Sequence, residues 1–331
     1  MHSKPAFATL VAILATGFSG AFAAEVATAA EAPTIKIQAD KEKNFGDSTT
    51  IVVPTIYLRL AVAGKVSVAK QGSALSAVGG GSTNTVRASA HFTVDGLDKT
   101  IAQGLAKKAY DDFVAGLRAA GYTVKTYEDI KDMDVVKAAA RMSPDANWGL
   151  PIDKDVNGAI VSMVATPTDA QAFKPGFGGA VIAPFQKAGR SALGEGTILI
   201  PSYVIYAPVV WGEKGGGYKT ISAQVNVAPG MNLAAAYVPL LTSKGAWGGT
   251  KLLNQPPLSD NVGELVKQDT TAKAANALGS ALSLLTGAGK ISGSSANYVF
   301  KIDPVAYEAA ALRGISAFHA ETMKVIVAAK K

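Results

Sequence analysis

The chain has no cysteine in 331 residues. That excludes disulfides, thiolate metal sites, iron–sulfur clusters and cysteine nucleophiles together. It also excludes a lipid anchor of the kind that needs cysteine as the first mature residue. Histidine is nearly as scarce: His2, His91 and His319 are too few and too scattered for a multi-histidine zinc centre. His91 and His319 are expected as solvated or hydrogen-bonded surface residues. No run of five like charges occurs and no basic stripe is interleaved with aromatics, so nucleic-acid binding has no footprint here. The net charge of +7 is spread along the chain. A basic face of this kind can meet anionic lipid headgroups or acidic polymers of an envelope surface.

The N-terminus carries an export signal. Lys4 precedes a largely apolar run over residues 6–22 that closes on Ala21-Phe22-Ala23, the pattern of a secretory signal peptide with an A-x-A cleavage site. The run is rich in Ala, Gly and Ser and shorter than the roughly 20 apolar residues of a membrane-spanning helix. Residues 1–23 are therefore read as a signal peptide cleaved after Ala23, and the mature protein as periplasmic or secreted, without a transmembrane helix. Residues 24–48, which end in the polar run Asp40-Lys41-Glu42-Lys43-Asn44, are read as a flexible leader.

From Thr49 to the C-terminus the pattern is that of one α/β domain, or two packed lobes. Leu58, Leu60, Val62, Val66 and Val68 alternate with polar or small residues, as do Val86, Ala88, Ala90, Phe92 and Val94, which predicts a long hairpin with one buried face. Its strands have the length of membrane-crossing strands but lack aromatic girdles. A helix follows from Asp95, with Leu97, Ile101, Leu105, Ala109, Phe113 and Leu117 at four-residue spacing and Gly121 as its stop. Residues 122–127 read as a strand, 128–141 as a second helix, 158–165 as a strand, 179–193 as a helix and 197–211 as a long strand. Turns at 212–217 and 229–230 then give an antiparallel meander through 218–227 and 231–241. Residues 262–286 read as helix, 298–302 as strand, and a last helix starts at Pro304. The fold class expected is α+β or mixed α/β, a twisted sheet with a long N-terminal hairpin and an antiparallel meander packed by several helices.

The order strand, long helix, strand, shorter helix, three-stranded meander, helix over about residues 50–290 resembles the periplasmic α/β domains of the curli secretion-channel and assembly-lipoprotein families. The resemblance implies a role in envelope assembly or interaction. The chain departs from those families in lacking the lipidated cysteine.

The segment Asp153-Lys154-Asp155-Val156-Asn157-Gly158-Ala159-Ile160 fits the first eight positions of a calcium loop, with oxygen ligands at 1, 3 and 5 and glycine at 6. Val164 stands where the bidentate glutamate belongs and a strand follows, so a regular EF-hand is excluded. Asp153, Asp155 and Asn157 are candidate ligands of a calcium ion, against an Asx turn that feeds the strand. No other cofactor is expected. Ser67 and Lys70 match an S-x-x-K, yet on a strand they fall on opposite faces. Ser191 lacks the second glycine of a nucleophile elbow. The glycine clusters at 79–81, 176–179 and 215–217 lack phosphate-loop spacing, and Asp111-Asp112 reads as a solvated helix face.

Aromatic residues gather in the meander and its exit: Tyr203, Tyr206, Trp211, Tyr218, Tyr237 and Trp247. They are either core or the lining of an apolar pocket, for which Tyr203, Tyr206, Trp211 and Tyr237 are the candidates. Three functions fit these residues. The first is an exported, non-enzymatic envelope protein with an assembly or interaction role, its partner an envelope protein or a second copy of itself. The second is a periplasmic carrier of an apolar or amphiphilic ligand, and the third is a metal-dependent periplasmic hydrolase. The missing catalytic cluster favours the first.

Overall fold

A computed structural model of the chain describes residues 32–71, 85–142, 157–176, 180–186, 196–215, 222–268 and 294–330. Residues 1–31, which include the expected signal peptide, and residues 143–156, which include Asp153 and Asp155, lie outside the described residues. The strands are β1 (Ile37–Asp40), β2 (Thr50–Val52), β3 (Tyr57–Gln71), β4 (Thr85–Asp95), β5 (Thr123–Lys125), β6 (Asn157–Ala165), β7 (Thr197–Leu199), β8 (Ser202–Tyr206), β9 (Val209–Gly215), β10 (Ser222–Ala228), β11 (Met231–Leu241), β12 (Trp247–Leu252), β13 (Pro257–Ser259), β14 (Gly263–Gln268) and β15 (Ser294–Ile302). The helices are α1 (Lys99–Ala119), the short α2 (Tyr127–Ile130), α3 (Asp134–Ala138) and α4 (Ala183–Gln186), and the 26-residue α5 (Pro304–Ala329).

Thirteen strands form one mixed sheet whose main path runs β14-β15-β4-β3-β8-β11-β7-β2-β5, while β9 and β10 make a separate hairpin. The fold is mixed α/β. β3 is its spine: one edge meets β6, and the other meets β8 and then β4, the handover falling at a register shift between Ala61 and Ala63. The expected N-terminal hairpin is present as β3 and β4, held in the sheet by β6 and β15.

One face of the sheet carries α1 and α5. Leu105, Phe113 and Leu117 of α1 and Tyr307, Ile315 and Phe318 of α5 close over Leu58, Leu60, Ile205, Leu233 and Val238. Both helices start on an aspartate cap: Asp98 Oδ1 accepts from the Ile101 amide at 2.8 Å, and Asp303 Oδ1 accepts from Val305 and Ala306 at 2.9 and 3.1 Å. α1 stops at Gly121, whose φ of +80° suits glycine. The Gly121 amide bonds Arg118 O and the Tyr122 amide bonds Leu117 O, closing the helix end.

The opposite face has two smaller covers. Val210, Ala223 and Val225 of the β9–β10 hairpin lie over Ala61, Val66, Phe92 and Val204. Ile130, Val136, Phe173, Val181, Ile182 and Phe185 lie over Val52, Tyr57, Ile198 and Leu241.

Several elements differ from the sequence expectation. Residues 37–48 are part of the fold: β1 pairs with β12, and the 3-10 turn Glu42–Asp47 buries Asn44 and Phe45. The helix expected over 128–141 is two short ones, and Thr126 and Asp129 form a capping box at the start of α2. Pro201 and Pro208 split the long strand expected over 197–211 into β7, β8 and β9, because proline cannot donate to a ladder. The antiparallel run goes from β8 through β11 to β12, while β9 and β10 pair with each other. Residues 263–268, expected as helix, form β14 and bond to β15 along their whole length. With only Leu265 and Val266 apolar, this six-residue segment carries no decisive period, and the available partner strand decides.

Candidate functional site

Between the two covers the described residues leave the sheet face open, and the alternation of its strands decides what lines the gap. On β3, Leu58 and Leu60 point to the helices, so Arg59 between them points the other way. On β8, Tyr203 and Ile205 face the helices while Ser202 and Val204 face outward. A register shift between Leu233 and Ala235 of β11 keeps Val238 and Leu240 under the helices and turns Ala235, Tyr237 and Pro239 outward. Trp247 of β12 and residues 180–182, just ahead of α4, complete a pocket of about 350 Å³. That volume falls at the lower end of small-molecule sites, which run from about 300 to 1,000 Å³.

The lining is apolar and aromatic, with Tyr237 43% and Trp247 37% exposed. Arg59 is the one charged side chain among the described lining residues. Burial, opposed by the neighbouring hydroxyls of Tyr57 and Tyr206, lowers its pKa from the ordinary value, yet a guanidinium stays protonated at any physiological pH. The Tyr237 hydroxyl is pushed up by burial first and by the charge of Asp40 second. From below, the 3-10 turn braces the rim: Asn44 Nδ2 donates to Trp247 O at 2.7 Å.

The four aromatic residues singled out in the sequence go to four places. Tyr237 lies in the pocket. Tyr203 is wholly buried under α5. Tyr206 packs beneath the β9–β10 hairpin, and Trp211 is 42% exposed on β9 with its Nε1 donating to Glu213 at 3.1 Å. Trp247, named in the sequence as part of the aromatic group, joins Tyr237, whereas Arg59 was missed. Its signal was a cation set in the polar phase of a strand whose neighbours on both sides are fully buried. Of the calcium-loop residues, Asp153 and Asp155 lie outside the described residues and Asn157 starts β6 opposite Ser67. No group of three metal-ligating side chains occurs among the described residues.

The chain matches no family model, no curated protein and no solved structure. What it does must therefore be argued from its own side chains.

A second constellation corrects the reading of His319, while its partner Asp112 is exposed as expected of a solvated helix face. His319 is 4% exposed, not solvated, and its Nδ1 lies 2.6 Å from Asp112 Oδ2. Its Nε2 meets the Tyr203 hydroxyl, and Ser316 Oγ donates to the same carboxylate oxygen at 3.0 Å. The pattern assigns a neutral imidazole that donates from Nδ1 and accepts at Nε2. Burial lowers the His319 pKa, while Asp112 pulls it the other way; the bond to His319 holds Asp112 below the usual carboxylate range. An aspartate, a histidine and a hydroxyl in line form a proton relay in outline. Here the hydroxyl belongs to a tyrosine with no exposed surface, its pKa raised well above normal by burial, and no substrate can reach it. The trio ties α1, α5 and β8 together.

Proposed function

We propose that this chain is an exported, non-enzymatic protein of the bacterial cell envelope that holds an apolar or amphiphilic small molecule. The observation that carries the reading is the pocket on the open sheet face, where Tyr237 and Trp247 leave aromatic surface exposed beside Val181, Ile182, Val204 and Pro239. Large apolar side chains left uncovered at a concave site favour a ligand that covers them. The export signal at 6–23 supports the periplasm as the place of action.

Native mass spectrometry of the mature protein, purified from its own envelope fraction, tests the reading. The expected result is a co-purifying small molecule that is displaced in Ala235→Phe. Ala235 is exposed at the pocket, so phenylalanine there fills the space without disturbing the core. A wild-type protein that carries no added mass and takes up no apolar probe overturns the proposal.

The assembly reading keeps one observation of its own. The β9–β10 hairpin pairs with no other strand among the described residues and carries exposed Trp211. A strand edge of this kind can pair with another chain. A defined oligomer lost in Trp211→Ser would favour it.

A further inference from the structure

We infer that the ligand of the sheet-face pocket is a glycosyl amphiphile, with an uncharged sugar ring resting between Tyr237 and Trp247 and an apolar body against Val181, Ile182 and Val204. The inference rests on the reading of this pocket as the binding site and adds the chemical class of what it takes.

Strand register sets the surround of the two rings, since residues directly paired across a ladder share a face. Gln38, Lys251, Tyr237 and Ser202 form one row across β1, β12, β11 and β8. Asp40, Gly249 and Pro239 form the next row, and Trp247 and Leu241 the one after. Tyr237 and Trp247 are thus attached two rows apart, roughly 13 Å along the strands at about 3.4 Å per residue. The floor between them is low, because Gly249 has no side chain and its φ of +149° keeps other residues out. Gln38, Asp40 and Lys251 stand exposed along the outer side of this strip, and the charge of Asp40 reaches the Tyr237 hydroxyl.

That surround selects the head. A carboxylate and an ammonium border the strip together, so an ionic head of either sign meets a like charge as well as an opposite one. Hydroxyls suit both, donating to Asp40 and accepting from Lys251, and bonds to charged groups are the stronger ones. The C–H face of a pyranose is flat and packs on an aromatic ring, which leaves its hydroxyls at the edge for the side chains around it. A quaternary ammonium needs rings that close around one point, and attachment two rows apart does not supply that. The other end of the pocket is carbon, from Val181, Ile182, Val204 and Ala235. Arg59 at that end is engaged by a neighbour of its own, and the head does not depend on it.

Isothermal titration calorimetry of the mature protein at pH 7.4 tests the assignment with octyl glucoside, octanol, octanoate, octylphosphocholine and methyl glucoside, each below its aggregation threshold. Octyl glucoside is expected to bind about tenfold more tightly than octanol, the worth of one or two net hydrogen bonds, and to exceed the two ionic heads. The double variant Asp40→Ala, Lys251→Ala should bring octyl glucoside down to the level of octanol. Both side chains are exposed, so its melting temperature should hold, and the comparison of probes on the wild-type protein stands without it. Equal binding of octyl glucoside and octanol, a preference for either ionic head, or a glucoside preference that survives the double variant overturns the sugar assignment and leaves the pocket as an apolar site. Methyl glucoside binding as tightly as octyl glucoside overturns the apolar body and keeps the sugar strip. Failure of all five probes overturns the pocket reading as well.

Discussion

Burial of His319 against Asp112 makes the fold sensitive to acid, and the direction can be worked out from the two groups. The folded His319 has a pKa below its ordinary value of 6.5 because burial disfavours the charged ring. Below 6.5 the unfolded chain takes up a proton that the folded chain refuses, so stability present above that value is lost as the pH falls. Asp112, held below its ordinary 3.8 by the bond to His319, acts in the same sense at lower pH. Urea unfolding of the wild type is therefore expected to show a falling midpoint from pH 7.5 to pH 5. In His319→Gln the midpoint should be lower by about 1–3 kcal/mol equivalent at pH 7.5, the cost of a broken buried hydrogen bond, and its fall over that range should be shallower, the remainder belonging to His91, whose pKa burial and Lys65 also lower. An unchanged slope in the variant would assign the acid sensitivity elsewhere. Tyr307 gives the opposite case. It is fully buried in α5, its hydroxyl has no hydrogen-bond partner among the described residues, and burial pushes its pKa up. Tyr307→Phe removes a buried polar group without opening a cavity. It should leave the thermal midpoint unchanged or raise it, by about 1 kcal/mol at most.

At the scale of elements, the two long helices were legible from the four-residue apolar spacing and Gly121 of the first and from Pro304 at the start of the second, although the first begins at the cap Asp98 and not at the expected Asp95, which ends β4. The strands β3 and β4 were legible from alternation, β6 from its apolar run and β11 from the turn at 229–230 that precedes it. The segment at 263–268 was not, because its strand character comes from β15, a partner a sequence window does not contain. The same holds for the site. Tyr237 was found from aromatic clustering, but which face of β8 each tyrosine takes depends on strand phase, and that phase is set by the breaks at Pro201 and Pro208 and the bulge in β11. Helix packing adds a demand of its own at Gly314 of α5, where a Cβ would overlap the side chain of buried Leu258. Propensity alone favours alanine over glycine in a helix by about 1 kcal/mol. Overpacking opposes it with about 1–3 kcal/mol, so Gly314→Ala is expected to lower stability. Leu258→Ala makes room, and the double variant should be more stable than the sum of the two single losses. Simple additivity in that cycle would show that the helix does not rest on Leu258.

At the scale of the molecule, the described residues cover the sheet with two long helices on one face and in two patches on the other, and the pocket lies between those patches. The stretch before Thr49 belongs to this plan. β1 extends the sheet beyond β12, and Lys36 and Leu253 bond across the join at 2.8 Å. Phe45 is 1% exposed in the main core, beneath α5. The same turn holds Trp247 at the rim through Asn44. Stability and pocket are thus coupled through one short segment. A chain beginning at Thr49 should melt well below the mature protein or fail to fold, and Phe45→Ala alone should cost about 3–5 kcal/mol, the usual loss for a buried phenylalanine. Asn44→Ala gives the finer test. It leaves Phe45 in place and frees the Trp247 carbonyl at the pocket rim, so it should weaken uptake of an apolar probe more than it lowers the melting temperature. If the chain beginning at Thr49 melts with the full mature protein, residues 37–48 act as a leader after all, and the rim of the pocket is built without them.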